Sequence, residues 1–262
     1  MTTGNGRVKE ARKLSRRSVR SERRLFLADG PKALEGALGA VLDSGASCVV
    51  EVFATPAALE RYAELATVGP AWTLVDERAL ASLSDSVTPA GVVAVCRSLD
   101  RPVTQVLDGA TLVAICADVR DPGNAGTVVR CADAAGADGV VFAGSSVDPH
   151  HPRTVRASVG SLFHLPFALE ADPAAAVRTA QAHGLSVLAA DGAGEVDLEH
   201  AGELLVGPTA WLFGNEAWGL PDDVAALAEH RVRIPIRGRA ESLNLSTAAA
   251  LCLYASARAQ DR

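Results

Sequence analysis

The sequence predicts an α/β protein in which a smaller α/β unit precedes a larger one. Short apolar runs of strand length alternate with helical stretches along the chain, the pattern of β/α repeats. The alternation breaks at Arg97-Ser-Leu-Asp-Arg-Pro102, where polar residues and a proline mark a connector. In the second half, apolar runs end on glycine, asparagine or aspartate, the residues that let a strand turn sharply. The expected divisions are 1–98, a linker at 99–110, and 111–262.

In order along the chain, residues 7–24 mix basic side chains with Val8, Leu14 and Val19 and predict a surface helix. Residues 24–28 read as a strand. Asp29-Gly-Pro-Lys32 then opens a helix to about residue 42, with proline early in its first turn. Strands follow at 48–53, 72–75 and 91–95, with helices at 56–65 and 77–83. The second unit starts with Thr111-Leu-Val-Ala-Ile-Cys-Ala117, apolar enough for a strand buried on both faces. A helix at 125–135 and a strand at 139–142 come next. Residues 144–152 are too rich in turn formers for a helix. Helices are expected at 172–183, 222–229 and 244–259, and strands at 185–189, 209–213 and 232–235.

With 48% hydrophobic residues and a formal charge of -6 over 262 residues, the chain is expected to be ordered rather than disordered. Its apolar runs are too short to cross a membrane, and its first residues lack the apolar core of a secretion signal. The expected location is the cytoplasm. Five cysteines, Cys48, Cys96, Cys116, Cys131 and Cys252, have no CxxC spacing, so neither a disulfide framework nor a metal site is expected. Charge is unevenly spread. Residues 1–32 hold ten of the Lys/Arg and three of the Asp/Glu, leaving the remainder strongly acidic. Arg16, Arg17, Arg20 and Arg24 are therefore candidate contacts to a polyanion, most naturally nucleic acid. A solvated basic helix would have the same composition.

Three distant segments combine polar or glycine-rich turns with apolar structure. In Asp121-Pro-Gly-Asn-Ala-Gly-Thr-Val-Val-Arg130, Asn124 can orient a hydroxyl and Arg130 offers fixed donors to a developing negative oxygen. A capped helix whose arginine pairs with a carboxylate fits the same residues. In Leu212-Phe-Gly-Asn-Glu216, Gly214 can let a ligand approach the backbone and Glu216 can bind donors or orient Arg130; a simple turn is the alternative. From Ile234 to Ser246, the backbone around Ile234, Ile236, Leu243 and Leu245 can enclose a planar, partly apolar cofactor. Ser242 and Asn244 offer short polar groups at a helix entrance. No Walker loop is present.

Together these segments resemble the SpoU/TrmH group of the SPOUT RNA methyltransferases, and residues 7–95 resemble the ribosomal-protein-like RNA-binding domain that precedes many such catalytic domains. The resemblance implies a C-terminal SPOUT α/β domain with a trefoil knot, preceded by a smaller α/β RNA-binding domain, and a homodimer with sites near the subunit interface. It implies S-adenosylmethionine bound near Gly214, Ile234, Ile236, Leu243 and Leu245. The reaction implied is methyl transfer to a ribose 2′-hydroxyl, with Arg130 catalytic and Asn124, Glu216, Ser242 and Asn244 completing the site. Whether Arg130 takes the proton or stabilises the alkoxide is open. The expected substrate is 23S ribosomal RNA; transfer RNA is the alternative, and a noncatalytic RNA-binding protein a more distant one.

Overall fold

The computed structural model describes residues 1–261 and divides the chain into two compact units. Unit 1 comprises Met1–Leu99 together with Asp148–His164; unit 2 comprises Asp100–Val147 and the chain from Leu165 onward. The segment lent to unit 1 comes from the middle of the second half of the sequence.

In unit 1, α1 (Gly6–Arg12) and α2 (Arg17–Arg23) replace the single expected helix, with a tight turn at Lys13–Ser15 between them. The break has a physical reason. Arg20 turns back into the gap and donates from Nη1 to the carbonyls of Leu14 and Ser15, at 3.0 and 2.9 Å. The elements that follow are β1 (Leu25–Asp29), α3 (Pro31–Gly39), β2 (Val49–Ala54), α4 (Pro56–Arg61), β3 (Thr73–Leu74), α5 (Glu77–Ala81) and β4 (Val92–Arg97). The sheet order is β1-β4-β2-β3, with β4 antiparallel to both neighbours. Val8, Leu14, Leu27 and Phe53 pack into its core.

Unit 2 opens with α6 (Val103–Leu107), β5 (Leu112–Ala117), α7 (Pro122–Ala134) and β6 (Gly139–Ala143). The chain then supplies α8 (Pro152–Ala157) to unit 1, where it packs on β1 and the Phe26 ring lies 4.5 Å from that of His150. Unit 2 resumes with β7 (Phe167–Glu170), α9 (Pro173–Ala182), β8 (Ser186–Ala190), β9 (Val196–Asp197), α10 (Gly202–Leu205), β10 (Thr209–Phe213), α11 (Asp222–Ala225), β11 (His230–Arg233) and α12 (Leu245–Ala259). Its seven strands are ordered β7-β6-β5-β10-β8-β11-β9 and every pairing is parallel. β5 and β10 are buried along their whole lengths, as strands covered on both faces must be. Trp211 of β10 donates from Nε1 to Ser256 Oγ of α12 at 2.9 Å, fixing that helix to the sheet. Compared with the sequence expectation, α11 is four residues rather than eight, and the last strand ends at Arg233, before Pro235. Proline has no N–H to give to a ladder.

Candidate active site

β5 and β10 are neighbours in register, Phe213 opposite Cys116, so their C-terminal ends emerge side by side. From β5 the chain proceeds through α7 to β6 on one side; from β10 it proceeds through α11 to β11 on the other. Ligands bind open parallel sheets at such a divergence, beyond the strand ends.

Each loop is shaped by its own residues. Asp118, just past β5, takes a left-handed φ of 55°. Its Oδ1 accepts from Ser145 N at 2.6 Å, and its carbonyl accepts from Asn215 Nδ2 at 2.7 Å. Asn215 closes a turn of its own: its Oδ1 accepts from Ala217 N at 2.8 Å, and its backbone pairs both ways with Gly219. Gly214 is buried where a side chain has no space, since a Cβ there would run into the carbonyl of Gly219. Asn215 was not singled out from sequence. Its position directly after a buried strand and Gly214 is the signal that could have found it.

Glu216 joins the first two segments. Its Oε1 accepts from Asp121 N at 3.1 Å and Asn124 Nδ2 at 3.2 Å, and its Oε2 accepts from Arg120 N at 3.2 Å. Asn244 joins the third: its Nδ2 donates to Asn124 Oδ1 at 3.0 Å, while its own Oδ1 caps α12 by accepting from Ser246 N at 2.9 Å. Asn124, Glu216 and Asn244, drawn from three distant parts of the chain, therefore form one hydrogen-bonded line. Asn124 can take part because it is not the helix cap expected from sequence. Asp121 caps α7, its Oδ1 accepting from Asn124 N at 2.8 Å, which leaves the Asn124 side chain free to project.

Arg130 lies six residues beyond Asn124, about 9 Å along α7 and about two-thirds of a turn around it. It is thus not on the same face as Asn124. Its side chain is exposed and, among the described residues, makes no hydrogen bond or ion pair. Ser242 is likewise exposed and without a hydrogen bond, so the line of asparagines and glutamate does not include it. A nearby thiol is unreactive: burial first, and then the Glu216 charge, push Cys116 up to about 12. Arg120 stacks its guanidinium 4.9 Å from the centre of the exposed Trp218 ring.

The segment between β11 and α12 has the features a planar cofactor needs. β11 lies two strands from β10, about 10 Å away across the sheet. From its end the chain returns to Asn244, held on Asn124, and so spans the strand ends. Among the described residues, no backbone N–H or C=O from Ile236 to Leu243 has a hydrogen-bond partner in the chain. Ile236 and Leu243 are exposed apolar groups on the same segment, while Ile234 and Leu245 at its ends are half-buried. Unanswered backbone donors and acceptors beside apolar side chains suit the edge and faces of an adenine, so these residues fit S-adenosylmethionine.

Of the candidate polyanion contacts, Arg16, Arg17 and Arg24 are exposed. Arg20 must be withdrawn. It is 3% exposed and its Nε and Nη2 hold Asp148 Oδ2 at 2.8 and 2.6 Å. Charge composition could not distinguish a buried arginine from its exposed neighbours.

A parallel sheet with three polar loops gathered at its strand ends defines an α/β enzyme that works at that edge. The chain belongs to the SpoU rRNA methylase family, whose model matches residues 111–254; residues 5–94 match the MRM3-like substrate binding domain. It is 29% identical over 253 residues to the 23S rRNA (guanosine(2553)-2′-O)-methyltransferase RlmP of Bacillus subtilis, covering 95% of each chain. An AdoMet-bound rRNA methyltransferase from Sinorhizobium meliloti is similar in structure, with a TM-score of 0.80, 33% identity and coverage of 97% of this chain and 95% of that one. The SpoU methyltransferase AviRb from Streptomyces viridochromogenes superposes with a TM-score of 0.84 at 27% identity, covering 98% of both. No helix among the described residues is long and apolar enough to cross a membrane.

Proposed function

We propose that this protein methylates a ribose 2′-hydroxyl of 23S ribosomal RNA, using S-adenosylmethionine, as a cytoplasmic homodimer. The observation that carries the proposal is the hydrogen-bonded line Glu216–Asn124–Asn244, which ties the three family segments together at the strand ends. Residues 1–98 serve as the RNA-binding domain and 111–262 as the methyltransferase domain, whose trefoil knot belongs to the same proposal. Gly214, Ile234, Ile236, Leu243 and Leu245 hold the cofactor. When bound, it supplies an electrophilic methyl group on a sulfonium sulfur.

Arg130 is the catalytic residue. A guanidinium stays protonated near neutrality, so it acts by orienting the 2′-hydroxyl and stabilising negative charge as it develops on O2′. Glu216 is fully occupied by two backbone N–H groups and Asn124, which makes it a positioning residue rather than a base. Ser242 completes the site on the RNA side. Exposed Leu251 and Tyr254 of α12 give the homodimer an apolar contact surface.

The test is to map 2′-O-methyl marks on total RNA from cells with the protein, without it, and with Arg130→Ala. One mark on 23S rRNA that disappears in both altered strains is the expected result. A mark confined to transfer RNA would overturn the substrate, and an Arg130→Ala strain with the mark intact would overturn the catalytic assignment.

A further inference from the structure

Unit 1 contains an open cavity of about 250 Å³ that the methyl-transfer site does not use. Asp29, Arg156 and Ser86 give it polar groups; Ala33, Ala90 and Val159 give it apolar walls. Arg156 and Val159 come from the segment that the second half of the chain lends to unit 1.

Three independent features converge there. First, Arg156 Nη1 is closed off from solvent and has no hydrogen-bond acceptor. Its ion-pair partner Asp29 Oδ2 is 3.6 Å away, beyond hydrogen-bond range, while Nη2 reaches Asp85 Oδ2 at 3.3 Å. A dry, unanswered N–H is an unusual thing for a folded chain to keep, and it marks a place where an acceptor belongs. Second, Asp29 is a buried carboxylate, steadied by Ser84 Oγ at 2.6 Å, and burial pushes its pKa above the usual carboxylate value. Third, Val159 has a left-handed φ of 52°, a strained state for a β-branched residue, while its side chain stands partly exposed on the cavity wall.

The chemistry of the ligand follows from the charges. A phosphate would satisfy Arg156 but would set its negative charge against Asp29. A neutral planar group carrying an acceptor beside an N–H satisfies both, the acceptor taking Nη1 and the N–H going to the carboxylate. Every nucleobase presents that pair on its Watson–Crick edge, and unpaired bases are recognised there between apolar surfaces. The volume lies below the range of about 300 Å³ and upward that drug-sized ligands occupy, which suits a single ring system.

We infer that this cavity receives one unpaired nucleobase of the RNA, its edge held between Arg156 Nη1 and the Asp29 carboxylate and its faces against Ala33, Ala90 and Val159. The inference rests on the RNA assignment proposed above and adds a base contact outside the methyl-transfer site.

The experiment titrates the full-length protein with a fluorescent single-stranded oligoribonucleotide and with the same oligomer lacking its bases. Arg156→Met keeps most of the side-chain stem but removes the donors; it should weaken binding of the base-bearing oligomer by about 10-fold or more and leave the abasic one unchanged. Val159→Gly removes the wall while relieving the left-handed strain. It should therefore fold at least as stably as the parent and still lose affinity for the base-bearing oligomer alone. Equal losses for both oligomers would make Arg156 a phosphate contact and overturn the inference, as would folded variants that bind both oligomers like the parent. Cofactor binding and methyl transfer to rRNA, measured in parallel, separate the two levels. Normal transfer with an indifferent Arg156→Met refutes the cavity alone, whereas a parent that neither binds RNA nor transfers methyl refutes both.

Discussion

Replacing Arg20 by methionine should destabilise the protein by about 3–5 kcal/mol, the cost of leaving one member of a buried ion pair unanswered. The side chains of Arg20 and Asp148 are 3% and 11% exposed, and two guanidinium nitrogens meet one carboxylate oxygen at 2.8 and 2.6 Å. The remaining nitrogen holds the carbonyls of Leu14 and Ser15, so the loss includes two further buried acceptors. Against a typical domain stability of about 5–15 kcal/mol, this is a large fraction. Urea denaturation followed by circular dichroism measures it, and a pH series identifies the partner. Burial alone would raise the Asp148 pKa, but hydrogen bonding and charge from His150 and then Arg20 outweigh it and hold the carboxyl well below its usual range. A depressed folded-state pKa contributes stability that is complete above the unfolded value of about 3.9 and is lost as pH falls through the folded value. Arg20→Met should therefore reduce both the stability at neutral pH and the further loss on acidification. Arg20→Lys keeps the charge without the fork and should fall between the two. A change below about 1 kcal/mol for Arg20→Met, the scale of an exposed pair, would refute the reasoning.

Gly214→Ala should lower cofactor affinity, because its Cβ meets the Gly219 carbonyl and can be relieved only by moving the turn; calorimetric titration with S-adenosylmethionine measures it. Glu216→Gln leaves one acceptor oxygen where two now serve three donors, and methyl transfer should fall about 10- to 100-fold, read by incorporation of labelled methyl into rRNA. Reversing the exposed Arg16, Arg17 and Arg24 to glutamate should weaken RNA binding and flatten its salt dependence while leaving cofactor affinity unchanged.

How much of this was legible in the sequence depended on how local the cause was. β5 and β10 announce themselves because a strand buried on both faces must be apolar throughout, and the glycine-containing turns after them are equally visible. The segment 148–164 was opaque. Its one α-helix is six residues long, and the partners that order it, Arg20, Phe26 and Asp29, lie more than a hundred residues away. β7 was missed for a related reason: four residues carry too little periodicity to separate a strand from a loop. Within the site, residue types were readable but not their division of labour. Asn124 looked like a cap until Asp121 proved to hold that position, and only then was its amide available to join Glu216 to Asn244.

That division of labour bears on mechanism. A carboxylate beside a candidate ribose invites a general-base role, yet a base needs a free lone pair aimed at the proton it removes. Both Glu216 oxygens point back at the backbone of Arg120 and Asp121 and at the Asn124 amide, so protonating Glu216 would loosen the loop that positions the site rather than advance the reaction. Arg130 presents the opposite case, an exposed cation with no carboxylate partner among the described residues to neutralise it. Activity that depends on Arg130 as a fixed positive charge should then show no ionisation of Glu216 in the neutral range. A pH–rate profile for methyl transfer in which Glu216→Gln removes a limb near neutrality would instead make the carboxylate the proton acceptor, and the roles assigned to these two residues would have to be exchanged.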